Sequence, residues 1–183
     1  MSVLQPGKLL VADPFLHDEN FNKSVVLLAS YDEQGAAGFV LNQPLQLKLE
    51  EVMPEFAGLD IDLYSGGPVE PDTLHYLHAT KGMVEGAMHV SSFLSWGGDL
   101  QHVLELLRTG RLSPSQIKFF SGYSGWGLGQ LESEVQAKAW FIADLRPDYI
   151  FSKDEELLWK RVMTDMGDDY AMLTNAPTDP RWN

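Results

Sequence analysis

Residues 117–134 read IKFFSGYSGWGLGQLESE, and the fold turns on how this stretch is divided. Ile117–Phe120 is a short apolar, partly aromatic run of the kind that forms a buried strand. Glycine then stands at 122, 125, 127 and 129, and a helix is predicted to begin near Gln130. Four glycines in eight residues exceed simple punctuation. Glycine at this density lets the backbone take positive φ and lets another group approach closely. That group is either a ligand or the protein's own packing.

Three chemistries use a glycine-rich strand-to-helix turn. A phosphate-cradling loop needs Gly-x4-Gly-Lys-[Ser/Thr]; Gly122 and Gly127 have the spacing, but Leu128 and Gly129 replace the lysine and hydroxyl. The dinucleotide pattern Gly-x-Gly-x-x-Gly fails on spacing, because Gly125, Gly127 and Gly129 alternate. A nucleophile elbow, Gly-x-Ser-x-Gly, is broken by Trp126, and all five histidines precede Ser124 where the triad order needs one after it. What survives is a helix start near Gln130 whose free N–H groups suit a carboxylate or phosphate, opposed by Glu132 and Glu134. The competing reading is a tight turn with Tyr123 and Trp126 packed over it.

The loop, written Gly122-Tyr123-x-Gly125-Trp126-x-x-Gly129-Gln130-Leu131-Glu132-x-Glu134, resembles the signature of the bacterial YqgE/AlgH proteins. Further motifs agree in order: Pro6-Gly7-x-Leu9-Leu10-x-Ala12, Phe21-x-x-Ser24-Val25-Val26-Leu27-Leu28, Gly35-x-x-Gly38-x-Val40-Leu41-Asn42-x-Pro44 and Gly66-Gly67-Pro68-Val69. The resemblance implies a single-domain cytosolic bacterial protein whose mixed sheet is partly barrel-like and surrounded by helices. It brings no established catalytic residues, and one branch of the family carries the name of a transcriptional regulator.

Composition bounds the rest. One domain over 183 residues is expected, with 44% hydrophobic and 11% aromatic residues giving a globular core. Cysteine is absent, which removes disulfides and thiolate metal sites. No apolar run reaches the length of a membrane span, and no secretory signal opens the chain, so a cytoplasmic location is expected. The formal charge of −13 with scattered Lys and Arg disfavours direct nucleic-acid binding, which needs clustered bases to displace counterions.

Along the chain, Lys8–Ala12 and Ser24–Ser30 read as strands, the second buried on both faces, and Gly38–Asn42 returns as a hairpin stopped by Pro44. Leu47–Met53 reads as a short helix, and Ile61–Ser65 as a strand leaving through Gly66-Gly67-Pro68. Thr73–His78 and Met88–Ser91 add strands, which places His75 and His78 on opposite faces. Asp99 caps a helix striped by Leu100, Val103, Leu104 and Leu107 and ended by Gly110. Leu131, Val135, Ala139 and Ile142 read as one helical stripe with Trp140 opposite. Ser152 and Glu155 read as a capping box for a last helix with Leu158, Trp159, Val162, Met163 and Met166 on one face. Residues 174–183 read as an extended tail.

The class expected is α/β of the α+β type: a mixed, largely antiparallel sheet with three main helices. Function is expected to be binding or regulation without catalysis, through a protein partner or small ligand. The alternative is an enzyme or ligand binder using a polar cleft near 122–129. The candidate ligand-binding residues are Asn42, Gly66, Gly67, Ser124, Trp126, Gln130 and Glu132; no cofactor and no metal site is expected.

Overall fold

In the computed structural model, which describes residues 3–176, the stretch from Ile117 is one long strand rather than a strand and a loop. The strands are β1 (Lys8–Ala12), β2 (Val25–Asp32), β3 (Gly35–Val40), β4 (Pro44–Lys48), β5 (Asp62–Ser65), β6 (Val69–His78), β7 (Met88–His89), β8 (Ser95–Trp96), β9 (Ile117–Gly127) and β10 (Trp140–Asp144). The helices are α1 (Leu49–Val52), α2 (Leu100–Arg108), α3 (Gln130–Gln136), α4 (Pro147–Ile150), α5 (Glu155–Asp165) and α6 (Asp168–Leu173). The main path of the curled sheet runs β10-β1-β2-β3-β9-β6-β8-β7, with β4 and β5 branching from β9. Pairing is antiparallel except between β5 and β9.

β9 is shared. Its first half lies between β5 and β6, with Leu63 opposite Phe119 and Tyr76 opposite Phe119. Its second half pairs with β3, Gly38 opposite Ser124 and Gly35 opposite Gly127. Thus β5 and β3 succeed one another along one edge of β9, and Gly66 lies at the junction. Gly66 N–H donates to Ser121 O at 2.9 Å, and Val40 N–H donates to Gly66 O at 2.9 Å.

Side-chain alternation makes the sheet two-sided. Leu9, Val11, Val25, Leu27, Phe39 and Phe120 face α4 and α5, where Ile150, Leu158, Trp159, Val162 and Met163 complete one core. Leu10, Val26, Leu28, Val40 and Trp126 face Leu131 of α3 in another. A third core packs Phe56, Leu63, Tyr76 and Phe119 against Val103, Leu106 and Leu107 of α2. The Asp99 cap is as expected: its carboxylate accepts from Gln101 and His102 N–H.

Several boundaries differ from the sequence reading. The glycines at 122, 125 and 127 lie within β9, and only Leu128 and Gly129 form the turn into α3. The ladders to β3 and β6 keep this segment in the sheet, outweighing glycine's low strand preference, with a register shift against β6 at Gly122, whose φ is 69°. Gly122 and Gly129 have positive φ, as the glycine density suggests, whereas Gly125 and Gly127 do not. α3 stops at Gln136 and Lys138 turns with φ of 62°, so Trp140 and Ile142 belong to β10. Trp140 therefore packs in the same core as Leu131, not on an opposite helix face. β3 ends at Val40, ahead of the Pro44 read as its stop, and Pro44 itself opens the edge strand β4. Leu47 and Lys48 then belong to that strand, and α1 keeps only Leu49–Val52. α5 starts at Glu155 without the expected Ser152 box: Ser152 Oγ instead accepts from Asp154 N–H at 3.1 Å, and Glu155 turns to Tyr64. Of the tail expected over 174–183, residues 177–183 lie outside the described residues.

Candidate functional site

The residues singled out by sequence fall into four neighbourhoods. Gly66, Gly67 and Ser124 meet at the β5–β9–β3 junction. Ser124 is fully buried, and its hydroxyl donates to Gly66 O at 3.0 Å. A methyl group on Gly66 would stand 2.3 Å from Gly122 O, and one on Gly67 2.3 Å from Ser124 Oγ. The close approach that these glycines permit is thus strand against strand.

Trp126 and Gln130 share a second neighbourhood through Glu134. One Glu134 carboxylate oxygen accepts from the indole of Trp126 at 2.9 Å and from that of Trp140 at 2.8 Å. Gln130 donates to the other oxygen at 3.0 Å and accepts from Gly127 N–H at 3.0 Å. Phe21 packs against both indoles, stacked on Trp126 and edge-on to Trp140. Glu132 faces elsewhere, accepting from the Tyr31 hydroxyl at 2.5 Å; that bond lowers the carboxyl's pKa and raises the phenol's. Asn42 stands apart, accepting from Val25 N–H and donating to Lys23 O, both at 2.9 Å. An open groove above β3 and β9 is bordered by Ser30, Asp32, Val69, Tyr123 and Trp126.

A different residue carries the strongest perturbation. Lys118, second in β9, is only 4% exposed. Its ammonium donates to Leu41 O at 2.7 Å and Ile150 O at 3.2 Å, and it sits 3.9 Å above the ring centre of Tyr64. The two carbonyls and the ring face supply the partners that a buried ammonium needs. Burial nevertheless pushes the amine down to about 7, against the pull of Glu155 and Asp62. The Tyr64 hydroxyl donates to Glu155, and burial followed by this bond holds its pKa well above the ordinary phenol value.

Lys118 and Tyr64 lie in the wall of a cavity of about 360 Å³, bordered also by Asp60, Asp62, Phe151 and Lys153. Lys48 bridges Asp60 at 2.9 Å and Asp62 at 2.5 Å, and the hydrogen bond to Asp62 leads in raising its pKa. Chemically, the cavity is lined by Lys118, by the hydroxyl-bearing Ser115 and Ser152, and by the carboxylate-bearing Asp60 and Asp62. The sequence reading passed over Lys118 as part of an apolar run. The available signal was the charge itself: IKFF reads as buried on both faces, and lysine is almost never fully buried without a partner.

The AlgH-like family model matches residues 9–171. The chain belongs to the AlgH-like family. A UPF0301 protein of Chlorobium phaeobacteroides is 42% identical over 180 residues, covering 98% of this chain and 96% of that one. A UPF0301 protein of Chlorobaculum tepidum is 39% identical over 181 residues, covering 99% and 97%. The solution structure of the AlgH protein from Pseudomonas aeruginosa is similar at a TM-score of 0.72, with 29% identity and 97% and 98% coverage. The crystal structure of a Corynebacterium diphtheriae protein shares the fold at a TM-score of 0.84, with 23% identity and 96% and 94% coverage. The family agrees with the YqgE/AlgH resemblance of the loop signature. Among the described residues, no helix is long and apolar enough to cross a membrane.

Proposed function

We propose that this AlgH-like chain is a cytoplasmic, non-enzymatic binding protein of regulatory character, with its ligand site in the cavity beside Lys118. The observation that carries the reading is a lysine buried in a strand yet set in a cavity wall. A core needs no ammonium for packing, and desolvating one is unfavourable. Convergent polar groups around a concave site are the usual mark of ligand binding. Any effect on transcription then runs through a protein partner, because a charge of −13 gives little counterion release on DNA.

The test is a melting-temperature screen of small polar metabolites against the wild-type chain, followed by calorimetry on each hit. A ligand whose stabilisation is lost in Ser115→Trp, which fills the cavity mouth, supports the reading. Hits that stabilise Ser115→Trp equally refute it. A second reading keeps the ligand near residues 122–129, in the open groove where Trp126 and Tyr123 lie beside Asp32. On that reading Gln130→Ala, which loosens the Trp126 neighbourhood, weakens binding while Ser115→Trp does not.

A further inference from the structure

We infer that Lys118 captures a small uncharged aldehyde or ketone in this cavity as a covalent imine. The inference rests on the reading that the cavity takes a small ligand, and it names the ligand's chemical class.

Position comes first. Lys118 lines the cavity, and its amine lies 3.9 Å over the ring of Tyr64, which lines the same cavity. Its two carbonyl bonds are unequal: that to Leu41 is 2.7 Å and that to Ile150 is 3.2 Å. The longer bond yields when the amine turns to a ligand, and the shorter one keeps the nitrogen tethered. A neutral amine has two N–H donors and one lone pair, so it can still serve Leu41 O while the lone pair attacks. Burial favours that neutral form, which lysines that act through Schiff bases require.

The groups around the amine select the ligand's charge. Glu155 from α5 and Asp62 from β5 place carboxylates near Lys118, Asp60 adds a third at the cavity edge, and Tyr64 stays a neutral phenol. Lys48 neutralises Asp60 and Asp62 in part, and Lys153 is 3.9 Å from Asp62. An anionic keto acid meets this carboxylate field unfavourably, whereas an uncharged carbonyl compound does not.

The step balances without another reagent. Nζ adds to the carbonyl carbon, the C–O π pair moves to oxygen, and a nitrogen proton follows it. The oxygen then leaves as water with the second proton, and the C=N bond forms. The reverse step releases the carbonyl compound, so capture is reversible.

The experiment treats the full chain with propionaldehyde and cyanoborohydride at pH 7 and maps the reduced adducts by peptide mass spectrometry. An ordinary exposed lysine is neutral in only about one molecule in 2,500 at this pH, whereas an amine near 7 is about half neutral. Even with its lower intrinsic nucleophilicity, Lys118 is expected to react at least ten-fold faster than the exposed Lys81, Lys138 and Lys160. Its labelling rate is expected to level off above about pH 7.5, while theirs climb to pH 10. Glyoxylate, an anionic aldehyde, is expected to label Lys118 several-fold more slowly than propionaldehyde does. Lys118 left unmodified while the exposed lysines react, or labelled no faster than they are, overturns the inference; equal labelling by glyoxylate overturns the uncharged class. The pH profile is read on the wild-type chain, so it decides the matter without any Lys118 variant having to fold. A ligand that stabilises the chain in the melting screen while no adduct forms at Lys118 leaves the binding reading standing and removes only this one.

Discussion

Gly67→Ala tests the seam between β5, β9 and β3 most directly. Gly67 has φ of 149°, in a region that side chains rarely adopt. An added Cβ would stand 2.3 Å from Ser124 Oγ, 2.4 Å from Tyr123 O and 2.5 Å from Ser124 N. Rotation of Ser124 relieves only the first contact and breaks its bond to Gly66 O. The other two atoms are backbone of β9, flanked by the β3 and β6 pairings, so relief requires strands to part. Backbone strain contributes about 1–3 kcal/mol, overpacking another ~1–3, and the lost hydrogen bond ~1. The sum, about 3–7 kcal/mol, is a large share of the ~5–15 kcal/mol that holds a typical domain. The internal control is Gly127→Ala: φ lies outside the left-handed range, and the nearest atom to a new Cβ is Gln130 Oε1 at 3.9 Å. Urea denaturation followed by tryptophan fluorescence is expected to show a large fall in midpoint for Gly67→Ala. Gly127→Ala should shift by less than ~0.5 kcal/mol. A Gly67→Ala protein within that same margin of wild type would show that the junction is not closed as described.

Trp126→Ala is expected to lose about 3–5 kcal/mol in the same assay, since the ring is 5% exposed and packs on Phe21 and Trp140; a melt like wild type contradicts this. Lys118 has a native pKa depressed to about 7, so between pH 7 and 9.5 the unfolded chain binds more protons than the native one. Wild-type stability should accordingly rise relative to Lys118→Met over that window, by roughly 1 kcal/mol per pH unit, and a flat difference in urea midpoints refutes it. The isolated protein should show no sequence-specific duplex binding tighter than about 1 μM at physiological salt, measured by fluorescence anisotropy.

What the sequence disclosed depended on whether one local pattern had one physical meaning. Val25–Ala29 is apolar at every position, which only a strand covered on both faces satisfies, and it lies between the α5 and α3 cores. α2 was equally plain, because Asp99 and Gly110 bracket an apolar stripe at helical spacing. Residues 122–127 misled because glycine usually ends strands; here the ladders to β3 and β6, distant in sequence, keep it in the sheet, and of the three glycines only Gly122 is crowded, a Cβ there standing 2.8 Å from Val69 O and 2.9 Å from Gly67 O. Leu131, Val135, Ala139 and Ile142 keep helical spacing by coincidence, since a helix and a strand turn them toward the same core. The site was harder still. Asn42, Ser124, Gln130 and Glu132 are visible as polar residues near glycines, but their bonds inside the protein emerge only when the sheet closes. Lys118 shows in the sequence only as a charge within an apolar run; its partners Leu41, Tyr64 and Ile150 converge on it from segments far apart in the chain.

The sharing of β9 also dictates an order of events during synthesis. β3 and β5 emerge from the ribosome well before residues 117–127, and β1 before its neighbour β10 at 140–144. Until those later segments arrive, the early hairpin carries open edges and an uncovered row of Leu, Val and Phe side chains. Such long-range closure is intrinsically slow and exposes the nascent chain to association. A chain halted before residue 117 therefore contains most of the strands but lacks the one that joins β3, β5 and β6 into a single sheet.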